Sequence, residues 1–177
     1  NNPPNNGVNN MTNEQKLNEE LAYALSKKAH HGQKYGERDY FEYHVLGVAS
    51  KFNGKHDFNA DDECVKCGAS MFVNENCIPC DHEAYMASLL HDVVEDSAVA
   101  LETINNLFGL AIANAVMYLT NDFGSGHSYL SKYIPTVGRN PSAKKVKIVD
   151  LEFHLSQPAK KNQAKYEKAL AYLKAVK

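Results

Sequence analysis

The chain has 177 residues, 44% of them apolar, which suffices for one ordinary domain with a hydrophobic core and is too short for two. Its 19 basic side chains nearly cancel its 21 acidic ones, so the single-signed field of a general nucleic-acid binder is absent and an anionic partner must be caught by a local patch. No apolar run approaches the ~20 residues of a membrane span and no charged-then-apolar leader opens the chain, so a soluble cytoplasmic protein without membrane contact is expected.

Residues 1–11 open with a stretch of almost only Asn, Pro and Gly, a composition that cannot offset its ordering entropy, and a flexible tail is expected there. Residues 12–177 form the expected domain. Thr12 with Gln15 three residues on predicts a capping box, and Leu17, Leu21, Ala24 and Leu25 recur at helical spacing until Gly32. A second helix is predicted from about Tyr43 to Phe52, with His44 one turn before Val48 on its apolar stripe and therefore pointing inward.

Periodicity then disappears, and residues 54–82 read as an insert built on Cys64-x2-Cys67 and Cys77-x2-Cys80. Two such knuckles supply four thiolates at spacings that close a tetrahedral Zn²⁺ site, with no open position and hence a structural role. The clustering also favours a reducing compartment over a disulfide framework.

Helical spacing resumes at Tyr85, Leu89 and Leu90 and is predicted to run on through His91, Asp92, Val93 and Val94 to Glu95 and Asp96. Two short helices, about Val99 to Phe108 and Leu110 to Thr120, flank Gly109, followed by a polar loop with Gly124 and Gly126. Asn140-Pro141 reads as cap and first turn of a helix whose buried stripe, Val146, Val149 and Phe153, also carries Asp150. A last helix is predicted over about Gln163 to Val176. No segment alternates with period two, so the fold class is all-α, with at most a small hairpin at the cysteines.

A lone His-Asp pair is more often a solvated helix end than a site. Here His44 and Asp150 also sit on buried stripes of other segments, where unpaired ionisable groups are costly, and Glu95 and Asp96 follow His91 and Asp92 by one turn. The combination wants a cation.

Five blocks in order resemble the HD superfamily of metal-dependent phosphohydrolases, specifically the Rel/Spo-type hydrolase domain and its small alarmone hydrolase relatives: Ala29-His30-His31-Gly32-Gln33, Tyr43 to Ala49, Leu89 to Asp96, Leu107-Phe108-Gly109 with Leu119-Thr120, and Val146 to Asp150. The resemblance implies an HD-domain helical bundle with the zinc knuckle as an addition. It implies that His44, His91, Asp92 and Asp150 ligate a catalytic divalent metal, that Glu95 and Asp96 position or activate water, and that the 3′-pyrophosphate of (p)ppGpp is removed to leave GDP or GTP. A two-histidine, two-carboxylate shell suits Mn²⁺, with Fe²⁺ or Zn²⁺ allowed by ligand type. The family's Tyr position falls on Tyr129 and its nucleotide-contacting Asn position on His154. Lys34 and Lys147 are the expected phosphate contacts, and Tyr35 or Tyr40 the aromatic that stacks on a base. Two other readings remain: an HD phosphohydrolase for another nucleotide, such as a deoxynucleoside phosphate or NADPH, and a non-catalytic alarmone-binding module. A small-molecule nucleotide is the expected partner, no synthetase half is expected to follow, and a homo-oligomer is left open.

Overall fold

The computed structural model describes residues 12–52, 81–124, 126–158 and 162–176. The expected tail and the four cysteines of the expected zinc site lie outside them. The chain order is α1 (Asn13–Ala29), a two-stranded hairpin of β1 (Lys34–Tyr35) and β2 (Arg38–Asp39), a π-helical turn Phe41–Val45 running into α2 (Leu46–Ala49), α3 (His82–Leu90), α4 (Val93–Asp96), α5 (Leu101–Phe108), α6 (Leu110–Leu119), a second π-helical turn Tyr129–Tyr133 running into α7 (Ile134–Val137), α8 (Pro141–Ser156) and α9 (Gln163–Ala175). The fold is the all-α bundle expected of the sequence.

Local chemistry sets the boundaries. Thr12 caps α1 with the full capping box, and Asn140 accepts from the Ala143 amide at 2.8 Å with Pro141 in the first turn of α8. Gly109 separates α5 from α6 at φ 84°, a backbone conformation that glycine adopts without steric cost.

α3 is the central helix: Ala84, Met86, Ala87, Leu89 and Leu90 are all buried, so it is apolar around most of its circumference. Its Ala84 and Ala87 side packs with Val48, Ala115, Leu119, Tyr133, Ile134, Val146, Leu151 and Leu173. The Met86, Leu89 and Leu90 side packs with Ala22, Ala49, Val93, Ile104, Ile112 and Val116.

Several expectations need correction. A hairpin the sequence reading did not predict lies at residues 34–39, Lys34 facing Asp39 and Tyr35 facing Arg38, because two-residue strands are too short to show alternation, while the hairpin allowed at the cysteines falls outside the described residues. α1 buries Ala22 and Ser26, whose small side chains admit close packing, while Leu17 and Leu21 remain exposed. The predicted loop before Asn140 holds the second π-helical turn and α7, with Tyr129, Tyr133, Ile134 and Val137 buried. Of the expected insert, Asp81 and His82 are described; they start α3, Asp81 accepting from the Ala84 amide as its cap. The predicted single helix through residue 96 is two helices broken at His91-Asp92, where Asp92 adopts φ −104°, ψ −2°.

Candidate metal centre

That break is what places both side chains in one spot. Consecutive residues of a regular helix diverge by roughly 100° around the axis, so adjacent donors do not share a target. With the turn at Asp92, His91 Nε2 and Asp92 Oδ2 lie 2.8 Å apart. The π-helical turn delivers His44 from the other side, its Nε2 3.3 Å from His91 Nε2 and 3.4 Å from Asp92 Oδ2. From α8, Asp150 brings Oδ1 to 3.4 Å from His44 Nε2. His44, His91 and Asp150 are all buried.

A surrounding layer of hydrogen bonds orients these groups. His91 Nδ1 lies 2.7 Å from the Ser88 carbonyl and so carries a proton, which leaves Nε2 to face the centre. Tyr40 donates to Asp92 Oδ2 at 2.7 Å. Lys147 holds Asp150 Oδ2 at 2.8 Å, turning Oδ1 inward. Phe153 packs edge-on against the His44 ring, with centroids 5.1 Å apart. Gly47 makes room for it: a Cβ there would sit 2.6 Å from Phe153 Cε2.

The electrostatics follow from burial against charge. Burial opposes the ionised form of every group here. For His44 burial prevails and the ring is held neutral, the form in which imidazole binds metals. For His91 the adjacent Asp92 carboxylate overcomes burial and raises it to about 9. Asp92 stays well below the usual carboxylate range despite burial because His91 and His44 face it, and Asp150 is driven down mainly by Lys147. Burial pushes Glu95 and Asp96 upward, with the Asp92 charge adding to it.

The donor set fits a divalent cation. His44, His91 and Asp92 form one group of converging ligand atoms and His44, Asp150 and His154 another, each within 4.8 Å. Asp150 Oδ1 is buried and has no hydrogen-bond partner among the described residues, the condition of a carboxylate oxygen awaiting a cation. Beside these atoms opens a cavity of about 240 Å³, lined by Asp92, Glu95, Asp96 and Asp150 and by Lys147, Lys165, Tyr129, Tyr133 and Tyr166, among others. Its wall thus combines carboxylates with two ammonium groups, that of Lys147 paired with Asp150, among phenol rings. Lys165 Nζ stands 4.5 Å from the Tyr129 ring centre and 5.1 Å from that of Tyr166.

Of the six residues expected to hold metal or handle water, Asp92, Glu95, Asp96 and Asp150 line this cavity, while His44 and His91 are not among its lining residues and reach it through their contacts with Asp92. Of the expected substrate contacts, Lys147, Tyr129 and His154 line it. Lys34 is exposed on the hairpin and is not among the lining residues. Tyr35 is half-buried behind the wall, its hydroxyl 2.8 Å from His154 Nδ1 and its ring nearly parallel to His44. Tyr40 lines the cavity but is committed to Asp92. Sequence reading missed Asn121, Tyr133, Lys165 and Tyr166 as wall residues. Tyr166 and Lys165 lie on the helix predicted from about Gln163, whose helical spacing carries no sign of which residues face a cavity. The Asn121 amide donates to Glu95 Oε2 at 3.0 Å, a contact across 26 residues that no local pattern announces.

No family model matches the chain, and no curated protein matches it. A solved structure does, described as a metazoan ortholog of SpoT that hydrolyzes ppGpp and plays a role in starvation responses. It superposes with a TM-score of 0.63 at 18% identity, over 94% of this chain and 88% of that one. The likeness is one of fold. It extends over nearly the whole chain, so the two proteins share one helical-bundle fold.

Proposed function

We propose that the chain is a metal-dependent phosphohydrolase that removes the 3′-pyrophosphate of (p)ppGpp. The observation that carries this reading is the close approach of ligand atoms of His44, His91, Asp92 and Asp150 from three separate segments, beside a cavity that Glu95, Asp96, Lys147 and Lys165 also line. The ppGpp hydrolysis named for the neighbour of the same fold supports it.

In this reading the four residues hold one divalent ion, Mn²⁺ being the best match to their nitrogen and oxygen donors. Such an ion supplies Lewis-acid stabilisation of a phosphoryl oxygen and acidifies water. Glu95 and Asp96 orient the attacking water and take its proton, a role suited to carboxylates raised above their ordinary range. Water adds to the phosphorus attached to O3′, the P–O3′ bond breaks, pyrophosphate leaves, and O3′ takes up a proton to give GDP or GTP. Lys165, with the positive side of Lys147, meets the charge building on the phosphoryl oxygens. At about 240 Å³ the cavity is smaller than the roughly 300–1,000 Å³ of sites that enclose a whole drug-sized ligand, and suits a phosphate end whose nucleoside lies across the mouth.

A second nucleotide substrate has one observation in its favour. Lys34 and Tyr35, expected to read phosphate and base, are not among the residues lining the cavity. A turnover panel with Mn²⁺ separates the cases. Conversion of ppGpp to GDP and pyrophosphate, with the 5′-phosphates untouched, supports the first reading. Release of phosphate from deoxynucleotides or NADPH with ppGpp ignored replaces it by the second, and tight ppGpp binding without turnover under any divalent ion by a binding module.

The cysteine spacing supports a separate structural zinc at Cys64, Cys67, Cys77 and Cys80. Native mass spectrometry should find it in the wild type and not in a Cys64→Ser, Cys67→Ser variant.

A further inference from the structure

His154 is the residue whose geometry exceeds the role sequence assigned to it. We propose that His154 is a fifth protein ligand of the catalytic ion, making the centre a three-histidine, two-aspartate shell. This rests on the reading that the site holds a divalent ion.

His154 follows Asp150 by four residues on α8, so both side chains leave the same face of the helix. Its Nε2 lies 3.1 Å from Asp150 Oδ1, the oxygen that is also 3.4 Å from His44 Nε2. A proton shared in line between nitrogen and oxygen at that distance would be a hydrogen bond. Asp150 Oδ1 nevertheless has no hydrogen-bond partner among the described residues. The two atoms therefore sit side by side, as two ligands facing a common point do.

The spacing agrees. Donors at right angles on an ion with bonds of about 2.1 Å are about 3.0 Å apart. The neighbouring pairs here measure 2.8 Å for His91 and Asp92, 3.1 Å for Asp150 and His154, 3.3 Å for His44 and His91, and 3.4 Å for His44 with either aspartate. The two triads, His44-His91-Asp92 and His44-Asp150-His154, share His44 Nε2. One nitrogen lone pair serves one ion, so the proposal places a single ion where the triads meet at His44, with the outer donors of the two triads rotating inward to close on it.

His154 is also held in place as a ligand would be. The Tyr35 hydroxyl lies 2.8 Å from Nδ1, and when Nδ1–H donates to it the Nε2 lone pair is free. Tyr166 flanks the ring, its centroid 5.1 Å away and its plane 28° off parallel. Tyr35 is thus a positioning residue for the fifth ligand. A third imidazole shifts preference from Mn²⁺ toward softer ions such as Co²⁺ or Fe²⁺.

The test is pulsed EPR of the full chain loaded with Mn²⁺ and labelled with ¹⁵N-histidine, counting directly bound imidazole nitrogens, alongside Mn²⁺ titration. Three nitrogens are expected in the wild type and two in His154→Asn. The variant's dissociation constant should rise by at least the roughly 10–100-fold typical of losing a group that only supports a ligand. Tyr35→Phe should keep three nitrogens and bind more weakly. Two nitrogens in the wild type would overturn the fifth ligand while leaving the four-residue centre standing, and that count holds whether or not the variants fold. A wild type that binds no divalent ion at all would overturn both.

Discussion

The Lys147 ammonium lies 2.8 Å from Oδ2 of Asp150, one turn along the same helix, and both side chains are largely buried, 14% and 3% exposed. The pair neutralises a carboxylate that would otherwise be stranded when no cation is present, and it fixes which oxygen faces His44. Lys147→Met should therefore destabilise the metal-free protein by about 3 kcal/mol, the scale of leaving one partner of a buried ion pair alone. With Mn²⁺ bound the loss should shrink, because the ion takes over the neutralisation. Chemical denaturation with and without Mn²⁺ measures both, and equal losses would separate Lys147 from the centre.

Glu95 gives a pH dependence with a definite sign. Partial burial raises it above its ordinary 4.5, and it accepts a proton only when ionised. Activity should fall as pH drops through that raised value and recover as pH rises above it. Glu95→Gln should lower kcat by roughly 10²–10⁴-fold, the range for a positioned base, and should remove that acid limb from what activity remains. An unchanged acid limb in the variant would assign the titration to another group.

Gly47 tests how the fold braces the centre. An added methyl would meet the Phe153 ring, which itself packs edge-on against His44. Gly47→Ala should cost about 1–3 kcal/mol through overpacking and weaken Mn²⁺ binding by displacing His44. Adding Phe153→Leu should recover most of the stability. Denaturation curves of the single and double variants decide it, and an unperturbed Gly47→Ala would show that the ring moves freely.

What the sequence made legible is what short-range periodicity carries. His44 and Asp150 could be placed on buried stripes because Val48, Val146 and Val149 marked them, and the cap at Asn140 fixed the phase of α8. The break at His91-Asp92 was illegible, since Leu89, Leu90, Val93 and Val94 keep helical spacing straight through a turn whose geometry is set by tertiary contacts at Asp92. The Tyr129–Tyr133 turn was missed because Gly124 and Gly126 announce a loop while its burial depends on distant partners such as Leu119, whose carbonyl accepts from Tyr133. Lys165 and Tyr166 belong to the wall only because α9 packs against α8, a pairing no local pattern specifies.

The central claim is that His44, His91, Asp92 and Asp150 form the catalytic metal centre, and phosphorus NMR of ppGpp incubated with Mn²⁺-loaded wild type and Asp150→Ala tests it most directly. The wild type should release pyrophosphate and leave GDP, while Asp150→Ala, folded as judged by circular dichroism, should bind Mn²⁺ poorly and leave ppGpp intact. Wild-type turnover by Asp150→Ala would contradict the centre itself.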